Sequence, residues 1–224
     1  MFKAPAPKSP IVLSYLALPK AVGGIALALP FSVAIPWAVL HHAVQTSISA
    51  YYYTGMRNLF VGSLCAIGMF MLSARGYDTL DEIAGIFSAA CAIGIAFFPT
   101  SPTHQRTLVG DVHYVFAGGL FLTLAFFCLV LFKMTAEHHT VTPQKMQHNR
   151  VYTVCGIIIL ASLALLPTMT LVFHVRYVFA GIAPGIFFET TSLFAFGVAW
   201  LVKGETFLRD QAPPYSATRT NRNP

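Results

Sequence analysis

Three polar clusters interrupt an otherwise apolar chain, and they hold the residue types that could do chemistry. The first is "HHAVQTSISAYYYTGMRN", residues 41–58, and the second is "PTSPTHQRTLVGDVH", residues 99–113. The third is "HVRYVFAGIAP", residues 174–184; each cluster carries one arginine and at least one histidine. The candidate members are His41, His42, Ser47, Ser49, Tyr53, Arg57, Asn58, His104, Arg106, Asp111, His113, His174 and Arg176. Glu189, in "GIFFETTSLFAF", joins them as a carboxylate inside an apolar run. Three chemistries are open to this set. Planar, forked guanidinium groups at Arg57, Arg106 and Arg176 suit anionic headgroups. Ser47 or Ser49 with His113 and Glu189 forms the residue set of a hydrolytic triad. An acid within a membrane span is a default pointer to an ion pathway.

Asp111 and His113 stand two residues apart, so they do not share a helix face. Asp111 is read as the N-cap or first-turn acid of the following helix. His113 can face inward, where a lone histidine is commonly a hydrogen-bonded packing residue. Tyr51 and Tyr52 are expected at a membrane–water boundary, which suits an apolar ring with a wet hydroxyl. No HExxH or HxxxH helix pair, GxSxG elbow, P-loop or GxGxxG is present, so no metal and no cofactor is implied. Cys65, Cys91, Cys128 and Cys155 each lie in an apolar run without a CxxC pair. They are read as small packing residues.

The elements that must position these residues follow from composition. The chain has 224 residues, of which 56% are hydrophobic and 10% charged. A soluble domain carries about 25% charged residues. An all-α polytopic membrane helix bundle is therefore expected. The net charge of +6 is scattered over span ends and tails, which argues against nucleic acid as a partner. A spanning helix needs about 20 apolar residues. Six spans are read at 21–42, 58–74, 83–99, 113–134, 151–173 and 183–203.

The second and third spans are short and rich in small residues. Gly85/Ala89, Ala90/Gly94 and Ala92/Ala96 give the third a small-xxx-small pattern, which allows close backbone approach in lipid. This span is expected at the bundle centre. Pro30, Pro36 and Pro167 are expected kink sites. Residues 1–20 are read as a retained cytoplasmic or interfacial lead-in, since prolines break it and no A-x-A-like cleavage site follows. Residues 21–204 form the membrane domain, and 205–224 a polar, disordered cytoplasmic tail.

With six spans, eleven Lys and Arg residues fall on the side of the termini and three on the other. The positive-inside rule then puts both termini in the cytoplasm and the three polar clusters outside. Glu189 is the one acid in any of the six expected spans. A carboxylate there must be paired or protonated, so it should face the bundle near Arg57, otherwise near His113 or Arg176.

The run "SISAYYYTGMRNLFVGSLCAIGMFM" followed by "RGYD" resembles a family of uncharacterised bacterial six-helix membrane proteins. The resemblance continues through "IAFFPT", "HYVFAGGLFLTLAFF", "YTVCGIIIL" and "FFETTSLFAFGVAWLVKGE". It implies a multi-pass protein of the bacterial inner membrane, distantly like lipid-handling proteins and integral-membrane hydrolases built around Ser, Asp and His. The family pattern has histidine where Tyr53 stands and aspartate where Asn58 stands. Tyr and Asn cannot replace them as acid–base or metal groups near neutral pH.

The function expected from residues and resemblance together is binding of a membrane lipid or a partner at a polar cavity. That partner could be a second copy of the chain or another membrane protein. The cavity is expected to be lined by Ser49, Tyr53, Arg57, Asn58, His113 and Glu189, with Arg106, Asp111, His174 and Arg176 nearby. The alternatives are a lipid hydrolase and a small transporter using Glu189.

Overall fold

The computed structural model describes residues 10–73, 79–102, 105–134, 143–178 and 181–206. Six α-helices follow in order: α1 Pro10–His41, α2 Arg57–Ser73, α3 Thr79–Phe97, α4 Leu108–Leu129, α5 Pro143–Pro167 and α6 Pro184–Lys203. Among the described residues no strand is present. Five of the six helices are long and apolar enough to cross a membrane, and α2, with 17 residues, is shorter.

Each helix packs on its neighbours in sequence, and α1 closes the bundle against α6, which also touches α4 and α5. Closure rests on a crossing of backbones. A Cβ on Gly23 would sit 2.8 Å from the carbonyl oxygen of Gly197, and a Cβ on Gly197 would sit 2.9 Å from that of Gly23. In lipid, where no hydrophobic force draws helices together, such approach gives the dispersion contact that holds them. The buried core runs through α1 (Val22, Ala26, Leu29, Val33), α4 (Leu120, Leu124, Cys128) and α6 (Phe196, Ala199, Trp200).

Three features differ in detail from expectation. Helix α1 begins at Pro10, so the segment read as a lead-in up to residue 20 is helical from that point and runs on through Pro19 and Lys20. Proline does not end a helix where neighbouring groups take up the freed carbonyl, and α1 also continues through Pro30 and Pro36. Helix α3 is not central. It packs chiefly on α2 and α4 and turns Ile83, Ile86, Phe87 and Phe97 outward, while α6 has the largest buried share of any candidate span. The small face of α3 still serves close packing: Gly85, Ala89, Ala92, Gly94 and Ala96 are buried, whereas Ala90 is exposed. At the third point, the expected kink site Pro167, α5 passes into a π-helical turn over Thr168–Val172.

All four cysteines are free, and Cys91, Cys128 and Cys155 are buried. The tail from 207 onward lies outside the described residues.

Candidate polar site at the connector end

Three connectors gather at the end of the bundle opposite the chain termini, and their hydrogen bonds build the site. Helix α1 ends with His42 at a positive φ of 52°, its N–H donating back to the Ala38 carbonyl at 2.8 Å. The chain then turns inward. The Thr46 carbonyl accepts from the Ile186 N–H in the first turn of α6 at 2.8 Å. Gly185 permits that approach, because a side chain there would collide with the same carbonyl. A short 3-10 helix, Ser49–Tyr53, follows.

Glu189 seats this helix. Its Oε2 accepts from the Ile48 N–H at 2.8 Å and the Ser49 N–H at 3.2 Å. The amides are donors that a helix start leaves without intrahelical partners. The expected ion pair with Arg57 is not formed. The Arg57 guanidinium instead lies 4.2 Å from the Tyr52 ring centroid and donates to the Tyr52 hydroxyl. Among the described residues no basic group makes an ion pair with Glu189. Two backbone N–H groups satisfy the carboxylate locally, so a cation was not required.

Tyr51 is fully buried and its hydroxyl accepts from the Gln45 N–H at 3.3 Å. This corrects its expected boundary position; the tight turn of the 3-10 helix points the three tyrosines in different directions. Tyr52 stays half-buried under Arg57. Tyr53 reaches across to the second connector and donates to the Thr100 carbonyl at 2.7 Å. Thr100 Oγ1 donates in turn to the Tyr114 hydroxyl at 3.1 Å. Ser101 Oγ accepts from the Thr107 N–H at 3.2 Å, and Thr107 caps α4 by accepting from the Gly110 N–H.

Between these two connectors lies a cavity of about 390 Å³, lined by Gln45, Thr46, Ser47, Ala50, Tyr53, Thr100, Ser101 and Pro102. A second, wider hollow of about 630 Å³ shares Gln45 and Thr46 and extends to His42, Tyr177 and Gly181. Burial raises the phenol pKa of Tyr53, and the nearby Tyr52 and Tyr114 raise it further. Burial likewise raises that of Tyr51. Both phenols are therefore neutral near pH 7.

Of the expected cavity residues, Tyr53 lines the cavity. Ser49 and Glu189 stand behind its wall, joined through the Ser49 amide. His113 is buried in α4, with Nδ1 bonded to the Phe98 carbonyl at 2.7 Å, so it ties the end of α3 to α4 as a packing histidine. Asn58 is exposed on the first turn of α2. Asp111 is a first-turn acid of α4, as its spacing suggested, and holds Arg106 with Oδ1 and Oδ2 at 2.9 and 3.2 Å. Hydrogen bonding to Asp111 raises the Arg106 pKa. His174, at φ 50°, and Arg176 are exposed on the third connector. His41 stacks on Trp37 at 3.6 Å between ring centroids. His104 lies outside the described residues.

Ser49 meets Glu189 only through its backbone amide, the Ser47 hydroxyl accepts from the Ala50 N–H, and His113 is held by the Phe98 carbonyl, so no serine–histidine–glutamate relay is formed. Among the described residues no three His, Cys, Asp or Glu side chains gather as a metal site. The residues missed from the sequence are Gln45, Thr46, Thr100 and Ser101, which sit in the very connectors singled out. The signal was the density of neutral hydroxyl and amide groups in both.

Comparison with known proteins gives no match to the chain among family models, curated proteins or solved structures.

Proposed function

We propose that this is a six-span membrane protein that binds a lipid headgroup in the cavity between its first two connectors, on the non-cytoplasmic side. The observation that carries this reading is the cavity itself. It is a hollow at the end of an apolar bundle whose lining includes Gln45, Thr46, Ser47, Tyr53, Thr100 and Ser101, and the exposed Phe97 and Phe98 stand three and two residues before Thr100 in the chain. Ligand sites are typically hollows of about 300–1,000 Å³ with a few convergent polar groups. The first connector is held on α6 by the Glu189 carboxylate and by the Ile186 N–H, which donates to the Thr46 carbonyl, and so forms a back wall for the site.

The sided part of the reading rests on the eleven-to-three excess of basic residues at the termini end. An impermeant thiol reagent should label Ser47→Cys in intact cells and leave Gln147→Cys untouched; the reverse would place the cavity inside. The resemblance to uncharacterised bacterial six-helix membrane proteins, themselves distantly like lipid-handling ones, supports this reading and makes the bacterial inner membrane the proposed location.

Binding is tested by native mass spectrometry of protein washed free of loosely held lipid. The wild-type chain should retain one lipid, and Ala50→Trp, which fills the cavity, should lose it. Equal retention by both would contradict the proposal.

A further inference from the structure

We infer that the ligand of this cavity is a neutral, hydroxyl-rich headgroup such as a hexose, and not a phosphate; this rests on the headgroup-binding reading above. The argument starts from which groups line the cavity. They are a carboxamide, hydroxyls, a methyl and a proline, with no charged side chain among the described residues.

The three arginines that would have selected an anion are placed elsewhere. Arg57 is spent on Tyr52, Arg106 on Asp111, and Arg176 is exposed on the third connector. None of them lines the cavity. A phosphate accepts hydrogen bonds and favours charged or strongly polarised donors. Here it would meet the lone pairs of several oxygens without a compensating cation.

The lining groups match alcohols instead, because an alcohol both donates and accepts. Ser47 Oγ already accepts from the Ala50 N–H at 3.0 Å, so its own O–H is left to donate. Tyr53 donates to the Thr100 carbonyl, so its oxygen is left to accept. Gln45 uses its backbone N–H on the Tyr51 hydroxyl, so its side-chain carboxamide, like the Thr46 hydroxyl, can both donate and accept toward the hollow. The lining therefore offers both donors and acceptors. Its volume of about 390 Å³ is near the lower limit for ligand sites, which suits one sugar ring rather than an oligosaccharide.

A free sugar and a glycolipid headgroup share this chemistry, and the test separates them. Full-length protein in phosphatidylcholine nanodiscs is titrated with monoglucosyl-diacylglycerol, with phosphatidic acid of the same acyl chains, and with methyl glucoside. The glucosyl lipid should be retained at least about tenfold better than phosphatidic acid, and methyl glucoside should compete for it. Ser47→Ala and Gln45→Leu should each weaken retention by about three- to tenfold.

Preference for phosphatidic acid, lost in Arg57→Ala or Arg106→Ala, would overturn this inference and leave the headgroup-binding reading standing. Binding of methyl glucoside without any retention of glucosyl lipid would support the neutral chemistry but overturn the lipid reading. Retention of neither lipid and no binding of the sugar would overturn both. The competition on the wild-type chain needs no variant, so a misfolded mutant cannot obscure the outcome.

Discussion

The two ends of the bundle solve the same problem in opposite ways. At the termini end, one lysine meets carbonyls at the end of a helix and another sits over an aromatic ring. Lys145 donates to the Phe132 carbonyl at 2.8 Å, and Lys203 stands 5.5 Å from the Phe132 ring centroid. Behind them Phe127, Phe132, Tyr152, Phe196 and Trp200 pack edge to face and tilted, with centroids 5.2–5.8 Å apart. At the connector end, backbone groups are met by oxygens: the Glu189 carboxylate, the Tyr51 hydroxyl, and the Ser47, Ser101 and Thr107 hydroxyls. Aromatic packing fills space, whereas short oxygen side chains leave it open. One end is a plug and the other a mouth, and the difference follows from side-chain volume as much as from polarity.

The largest effect should come from breaking the plug. Phe132→Ala removes a buried ring and should cost about 3–5 kcal/mol in denaturant unfolding from mixed micelles. Lipid retention at the connector end should not change in the folded fraction. A parallel loss of retention would show that the two ends are not independent.

Next is the seat of the mouth. Glu189→Leu leaves two buried amides without an acceptor, a loss of about 2–4 kcal/mol. Glu189→Gln keeps an acceptor oxygen and should cost less than half as much, with lipid retention preserved. If Gln were as damaging as Leu, the charge or proton of Glu189 would be its working part, and the transporter alternative would replace the structural role.

Here the limits of what could be read from the sequence show their causes. The all-helical bundle and most span positions were legible, because apolar windows of about 20 residues have few other uses. The start of α1 was not, since Pro19 and Lys20 look like stops in water but not against a packed neighbour. That Glu189 needs a partner was legible from the cost of a buried carboxylate. Its partner was not, because the amides of Ile48 and Ser49 are backbone groups that carry no signature in residue type. Rare charged residues drew the expected cavity toward Arg57 and Asn58. The real lining, from Gln45 to Ser101, consists of common neutral residues that only the fold brings together.

A smaller effect is expected from pH. The Tyr51 and Tyr53 phenols have folded-state pKa values raised above the ordinary value near 10. A raised value means the folded state holds the proton more tightly, so this stabilisation is complete below about pH 10 and is lost as pH rises through the folded value. Lipid retention should therefore be flat from roughly pH 6 to 9 and fall above about pH 10. A step near neutral pH would implicate a different group.

The smallest effect should be that of Arg106→Ala. Its pair with Asp111 is 85% exposed on the arginine side, and exposed pairs contribute little. The unfolding midpoint and the retention of glucosyl lipid should both stay unchanged.

The central claim is that the uncharged mouth, and not the arginines around it, holds the headgroup. A crystal structure grown from a lipidic mesophase doped with monoglucosyl-diacylglycerol tests it most directly. The account predicts a sugar ring between the two connectors, with hydroxyls within hydrogen-bond distance of Ser47, Tyr53 and Gln45. A headgroup seated instead on Arg57 or Arg106, with the hollow between Thr46 and Ser101 unoccupied, would contradict it.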